Sequence, residues 1–414
     1  MRLFRVLCGL IASLWLPCSL AKEVLVLLGE KGMAETHSVF LADLKASRLE
    51  LDVRDITDRS LRLQNWGQWL YDGVIVLAGK GAEFGGAVDP AYLIDFVDAG
   101  RSLLVATDAT ASAPLRHLTT ELGADLLSPG HVVLDHVAHA SDSDAGAVLA
   151  TTLPLPAVTG DTSGPVLFRG TGLTVAPSAL RTTPVLVPPA TAIESGGGMT
   201  GPQLAFATAM ATRDNARFVA IASLEALSDA AFSAKVAVIG GGAAVATGNR
   251  VFAREAALWA MQERGMLQLS NFSHRRVGES GPPPLRTYTV NDTIEVGLDL
   301  HEWRGGAWLP HVTNRLQAEF VMLDPHVRKT LRHTGDGHYE ATVHAPDVYG
   351  AFKWVVDYKA PGFSPVLLSE VTPLRPLRHS EYPRFIVQAY PYYVALVSLS
   401  VAFLITVRLV VYYE

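Results

Sequence analysis

Cysteine is nearly absent from this sequence: the 414 residues hold two, Cys8 and Cys18, both at the N-terminal end. If that end is removed, the rest of the chain has no disulfide, no thiol nucleophile and no cysteine-ligated metal. Charge is scarce as well, at 18% Asp, Glu, Lys and Arg, below the ~25% usual for globular domains. The 34 basic and 40 acidic residues leave a net charge of −6 with no long basic block, which excludes a nucleic-acid binder that works through phosphate contacts. No His-Glu-x-x-His spacing occurs among the many histidines between His301 and His344, so no pair is set on one helix face to hold zinc. Ile239-Gly240-Gly241-Gly242 follows an apolar run, but Val245 takes the third small-residue position of the dinucleotide fingerprint and no acid follows about 20 residues on. Gly160-Asp161-Thr162-Ser163-Gly164-Pro165 looks superficially like a serine-protease nucleophile loop, with Thr162 interrupting the pattern. Neither a cofactor nor a metal is expected.

Apolar residues are abundant instead. They make up 49% of the chain, far too many for a disordered protein, and the length suggests two or three domains. Arg2 and Arg5 precede the apolar run Val6 to Leu16, and Ser19 and Ala21 occupy the −3 and −1 positions of a small-residue cleavage site. This reads as a secretory signal cut after Ala21, with an uncleaved anchor as its rival. Trp15 and Pro17 argue against lipidation of Cys18. At the other end no charge occurs from Phe385 to Val407, and as a helix that run rises about 34 Å, enough for a hydrocarbon core of ~30 Å. Tyr390, Tyr392, Tyr393, Tyr412 and Tyr413 flank it as interfacial aromatics do, and Arg408 can snorkel. A signal plus one late span predicts a type I topology. Arg375, Arg378 and Arg384 precede the span while Arg408 alone follows, against the positive-inside rule, but the signal is made first and takes precedence. Ala395, Ser398 and Ala402 share one face of the span by their spacing and form a candidate packing surface for a membrane partner.

Between the ends, Val24–Leu28, Leu49–Val53, Val74–Ala78 and Leu103–Ala106 are short aliphatic runs, with amphipathic segments at Ser38–Ala46 and Tyr92–Ala99. Strand and helix in alternation predict an open parallel sheet with helices on its faces. Ala138 to Gly201 carries little periodicity; Arg217–Ala222 and Lys235–Ile239 read as strands and Phe252–Glu263 as a helix that Gly265 ends. Beyond Asn271 the period changes to two: Ile294, Val296, Leu298 and Leu300 alternate with polar residues, as do Leu316–Met322 and Phe352–Tyr358. That pattern predicts an antiparallel sandwich. The expected divisions are a signal peptide (1–21), an α/β region (22–268), a linker (269–284), a β-sandwich (285–380), a transmembrane helix (386–411) and a short cytosolic tail (412–414). Asn271-Phe272-Ser273 and Asn291-Asp292-Thr293 are candidate N-glycosylation acceptors. Glu35-Thr36-His37-Ser38 lies just past the first strand, where open α/β folds place ligands. It offers an acid–base or sugar-binding group; the alternative is that Thr36 or Ser38 caps the next helix while Glu35 and His37 orient the loop.

The order of several blocks goes further. Glu35-Thr36-His37-Ser38, Phe84-Gly85-Gly86, Arg169-Gly170, Asn215-Ala216-Arg217 and Gly248-Asn249 are followed by Leu323-Asp324-Pro325-His326-Val327-Arg328, Pro346-Asp347-Val348-Tyr349-Gly350-Ala351-Phe352, Arg375-Pro376-Leu377-Arg378-His379 and Ala389-Tyr390-Pro391-Tyr392-Tyr393. Together these resemble the 48 kDa subunit family of eukaryotic oligosaccharyltransferase over nearly the whole mature chain, with residues 138–205 matching poorly. The resemblance implies an endoplasmic reticulum membrane protein with its body in the lumen, in the complex that transfers a preassembled oligosaccharide from dolichyl diphosphate to Asn of Asn-x-Ser/Thr. It implies a non-catalytic subunit with a role in assembly and substrate positioning. The implied partners are the multi-span catalytic subunit, a ribophorin II-like subunit and the small defender-against-death subunit. It also implies a flavodoxin-like or amidotransferase-like α/β region without its chemistry. The tail lacks the lysine-rich retention signal of some members, so retention through partners is expected. Two other functions stand beside this one: a carbohydrate-binding module using the Glu35–Ser38 loop or Trp303 and Trp308, and a membrane-anchored hydrolase using the same loop.

Overall fold

The computed structural model describes residues 22–413 apart from 31, 81–82, 87, 141–142, 238–243, 280–286, 324–325 and 383–384. The proposed signal peptide, the Ile239–Gly242 run and the triple proline of the expected linker lie outside the described residues.

Four aliphatic runs become strands: β1 (Lys22–Leu28), β2 (Leu49–Asp55), β3 (Gly73–Leu77) and β4 (Ser102–Ala106). With β5 (Thr182–Leu186), β6 (Ala207–Ala211) and β7 (Arg217–Ile221) they form one sheet in the order β2-β1-β3-β4-β7-β6-β5. β2, β1, β3, β4 and β7 are parallel, whereas β6 and β5 are added antiparallel. The sheet is therefore mixed rather than wholly parallel. Its central strands carry unbroken apolar runs because helices cover both faces; Val24, Leu25, Val26 and Leu27 are all inaccessible. The covering helices are α1 (Ser38–Ala46), α2 (Pro90–Asp98), α3 (Ala113–Glu121) and α4 (Asn249–Ala260). Asp89 starts α2 by accepting from the Tyr92 N–H at 2.7 Å, with Pro90 at the first helical position.

Helix α4 ends earlier than expected. Gln262 adopts φ 59°, the Gln262 N–H bonds the Trp259 carbonyl at 3.0 Å and the Glu263 N–H bonds Leu258 at 2.8 Å. This paired pattern closes a helix C-terminus without glycine. Gly265 serves the following strand instead. It lies at φ 66° near the start of that strand, and a Cβ there would meet the Gly362 carbonyl oxygen. Of the expected strand Lys235–Ile239, Lys235–Val236 pairs in a separate ribbon with Val245–Ala246, and residues 238–239 lie outside the described residues.

The C-terminal part of the body is built from β8 (Arg264–Arg276), β9 (Tyr288–Thr289), β10 (Thr293–Arg304), β11 (Ala307–Pro310), β12 (Gln317–Val321), β13 (His326–Thr330), β14 (Arg332–Gly335), β15 (His338–His344), β16 (Gly350–Tyr358) and β17 (Val366–Arg375). One sheet runs β8-β10-β15-β14 with β11 on β10, and the other runs β9-β17-β16-β12-β13. Ile294, Val296, Leu298 and Leu300 share a core with Phe320, Phe352, Trp354 and Val356. Residues 269–276, expected as linker, are instead the second half of β8 and pair with β10. A register shift between Ser270 and Ser273 breaks the alternation there and hides the strand. The last element, α5 (Tyr390–Val411), continues a single turn at Val387–Ala389. The apolar segment Val387–Val411 contains an 18-residue stretch with a mean hydropathy of 2.5, none of it buried, as expected for a helix that meets lipid.

Candidate functional site

Beyond β1 the chain crosses to β2 on one side, while β3 and β4 continue on the other. That reversal of strand order is where doubly wound folds leave a ligand crevice. Here the crevice closes: Gly29 donates to the Leu77 carbonyl at 2.8 Å, and its Cα sits so near Ala78 that a Cβ would touch it at 3.0 Å. A helical turn, Met33–Thr36, carries the chain on to His37, which is 5% exposed. His37 Nε2 lies 3.1 Å from the Leu224 carbonyl, and Nδ1 lies 2.9 Å from Thr36 Oγ1. Nδ1 also lies 3.2 Å from the Met33 carbonyl, so groups of the chain itself engage both ring nitrogens.

The expected capping by Thr36 or Ser38 is corrected in its details. Neither side chain caps α1. The cap comes from Asp229, whose carboxylate accepts from Ser38 N–H at 3.1 Å, Ser38 Oγ at 2.7 Å and Val39 N–H at 3.0 Å. An anion at a helix N-terminus satisfies otherwise unpaired donors and complements the dipole. Glu35 is exposed on the outer side of the turn. The loop is thereby tied to Leu224 and Asp229 rather than opened to a ligand. Sequence reasoning did not find Asp229; its only local sign is Ser228, which caps the short helix Asp229–Ser233.

A larger concavity, about 460 Å³, lies in the sandwich between Ser273, His274, Gly297, His338, Glu340 and Glu370. His274 is buried, with Nδ1 2.6 Å from the Tyr288 hydroxyl and Nε2 3.6 Å from Glu370. Burial pushes the Tyr288 phenol up to about 12. Burial also opposes ionisation of Asp299, but hydrogen bonds from His338 and Asn271 hold its carboxyl below the usual range. Among the described residues no three His, Cys, Asp or Glu side chains converge as a metal site.

Asn271 and Asn291 are both exposed and both in the left-handed region, at φ 50° and 64°. Asn271 Nδ2 donates to Asp299 at 2.6 Å and Asn291 Nδ2 to Asp347 at 3.1 Å. Trp303 and Trp308 stand edge to face at 5.3 Å, and the Trp303 indole donates to Glu263, so the pair presents no flat double platform for a sugar ring. On α5, Ala395, Ser398 and Ala402 are exposed, and Ser398 Oγ donates to the Ala395 carbonyl at 3.0 Å.

Two family models match this chain: the OST48 N-terminal domain over residues 17–263 and the OST48 middle domain over residues 274–414. Three relatives are each named as a 48 kDa subunit of dolichyl-diphosphooligosaccharide–protein glycosyltransferase. The protein of Arabidopsis thaliana is 35% identical, covering 93% of this chain and 91% of its own. That of Danio rerio is 34% identical, covering 91% and 88%. That of Caenorhabditis elegans is 33% identical, covering 94% and 91%. Among solved structures, a ThuA-like protein from Parabacteroides merdae aligns with 58% of this chain and 90% of its own at 11% identity and a TM-score of 0.34, a likeness too slight to carry an argument.

Proposed function

The chain belongs to the OST48 family, the 48 kDa subunits of oligosaccharyltransferase, and on that premise we propose that it is a non-catalytic subunit with its body in the lumen of the endoplasmic reticulum. In this reading the complex transfers a preassembled oligosaccharide from dolichyl diphosphate to Asn of Asn-x-Ser/Thr, and this subunit supports assembly and positioning. The observation that carries the proposal is the engagement of His37. Both ring nitrogens are held by the chain's own Leu224 and Thr36, so the best-placed acid–base group in the α/β region has no free nitrogen for a substrate proton. A hydrolase built on Glu35 to Ser38 would require that nitrogen.

The partners in this proposal are the multi-span catalytic subunit, a ribophorin II-like subunit and the defender-against-death subunit, met partly within the bilayer. Lipid is as apolar as leucine, so helices associate there by close packing over small residues. Ala395, Ser398 and Ala402 supply such a face on α5. Replacing Ser398 and Ala402 with Leu keeps the helix equally apolar and fills the groove. Partner yield on affinity purification in mild detergent is expected to fall severalfold for this double variant. Wild-type yield would discard the face and move assembly to the sandwich.

A further inference from the structure

The sandwich has two unlike ends. At one, Trp303 bonds Glu263 and Trp259 bonds the Gly362 carbonyl at 2.7 Å, which joins the sandwich to the α/β region. The other end lies about 30 Å away along β17, given its length and the rise per strand residue. Strand pairing fixes what collects there. Gly350 opposes Leu374 near the end of β17, Val321 opposes Lys353 near the start of β16, and His344 opposes Thr293. The chain after β12, the loop from β15 to β16 and the exit of β17 therefore share this distal end.

Large apolar side chains stand out from it. Leu323, just beyond β12, is 102% exposed; in the β15–β16 loop Tyr349 is 66% and Val348 41% exposed. A monomer gains nothing from displaying three such residues on adjoining loops, and such displays mark surfaces that meet a partner or a membrane. The tether identifies which. After Arg375 the chain folds back, and Arg375 holds Glu381 in a two-pronged ion pair at 2.6 and 2.8 Å while the Arg378 N–H bonds the same carboxylate at 2.9 Å. The Arg375 hydrogen bonds, with help from the Arg378 backbone, pull Glu381 down to about 2, so the clasp persists across physiological pH. Only Tyr382 to Ile386 then remain before the apolar helix starts at Val387, a reach of roughly 20 Å even when fully extended. Exposed Tyr382 and Phe385 lie on that reach.

We propose that the distal end of the sandwich rests on the bilayer that α5 enters, with Leu323, Val348 and Tyr349 inserted in the interfacial layer of the lipid. This rests on reading α5 as a membrane span. Tyr349 and Tyr382 have the amphipathic rings favoured at headgroup depth, and a few inserted apolar side chains add to a covalent anchor as interfacial segments do. The contact fixes the tilt of the α/β region, which stands on the far end of the sandwich.

The test uses the full chain in phosphatidylcholine nanodiscs, with Cys8→Ser and Cys18→Ser and one fluorophore placed in turn at Leu323→Cys, Tyr349→Cys, Leu399→Cys and Leu180→Cys. Nanodiscs containing lipid spin-labelled near the headgroup quench labels at that depth. Leu399 lies within α5 and reports insertion; Leu180 is exposed on the α/β region and is the aqueous control. The expected result is quenching at Leu323 and Tyr349 at least threefold stronger than at Leu180. Insertion at Leu399 with Leu323 and Tyr349 no more quenched than Leu180 would overturn the proposal while leaving the span intact. Labels that stay unquenched but become shielded on assembly with partner subunits would overturn it in favour of a protein surface. Failure of Leu399 to be reached by lipid labels placed deep in the acyl chains would remove the span reading and this inference together.

Discussion

Arg217→Met is expected to lower the melting temperature of the protein in detergent by roughly 10 °C. Arg217 is fully buried, with no carboxylate in an ion pair with it among the described residues. Its Nη1 donates to the Trp259 carbonyl at 2.8 Å and to the Arg264 carbonyl, its Nη2 donates to Gly265 at 3.0 Å, and its guanidinium lies 4.6 Å from the centre of the Trp259 ring. Burial lowers the pKa to about 9, which leaves the group charged at neutral pH. The Trp259 carbonyl, in the last turn of α4, lies at the negative end of a helix dipole and replaces part of the missing counter-charge. Methionine fills the volume but leaves those carbonyls unpaired, a loss of about 3–5 kcal/mol for a broken buried charged network. At roughly 2–4 °C per kcal/mol the shift is readily measured. Lysine should not rescue it, since one ammonium cannot match the planar fork. Because Arg264 and Gly265 begin β8, the variant should also loosen the join between the α/β region and the sandwich. A melting temperature within 2 °C of wild type would show that Arg217 does not hold this junction.

How far the fold could be read from the residues depended on what each strand buries. Val24–Leu28 and Val74–Ala78 announced themselves because a strand covered on both faces is apolar throughout. The two strands added antiparallel did not. Thr182–Leu186 contains Pro184, and Ala207–Ala211 is mostly alanine, so neither has the bulky, branched pattern that marks a strand. The second half of β8 was hidden by one bulge at which Asn271 turns left-handed. At the candidate site, position after β1 was legible and chemistry was not. His37 is tied to Leu224 and α1 to Asp229, each about 190 residues away, and no local spacing carries such a contact. Several blocks that carried the family resemblance also prove to be packing constraints. Asn249 is one: it is buried, bonds both the N–H and the carbonyl of Leu167 at 2.8 and 2.7 Å, and reaches the Ala226 carbonyl at 3.0 Å.

Gly170→Ala should be nearly as damaging. A Cβ at this position would overlap the Ala222 carbonyl oxygen and crowd Ser223 Cα at 3.2 Å. That oxygen also accepts the Thr171 N–H at 3.1 Å, and Gly170 itself accepts from Val133 N–H at 3.1 Å. The obstruction is backbone, so no rotamer change relieves it; the strand or the bond must give. Overpacking of this kind costs about 1–3 kcal/mol and more where the main chain cannot move. A fall of roughly 6–10 °C in melting temperature is expected, on the same conversion. A variant that melts with wild type would mean that the loop at Arg169 and Gly170 shifts freely against the end of β7.

The central claim is that this chain assists transfer without contributing a reacting group, and turnover per assembled complex tests it most directly. Complexes carrying Glu35→Ala or His37→Ala would be purified and counted by catalytic-subunit content. They would then be assayed with lipid-linked donor and acceptor peptide at saturation. Turnover within about twofold of wild type is expected, with any loss appearing in the yield of complex. A general acid–base group is worth roughly a hundredfold or more; a drop of that size in correctly assembled complexes would contradict the claim.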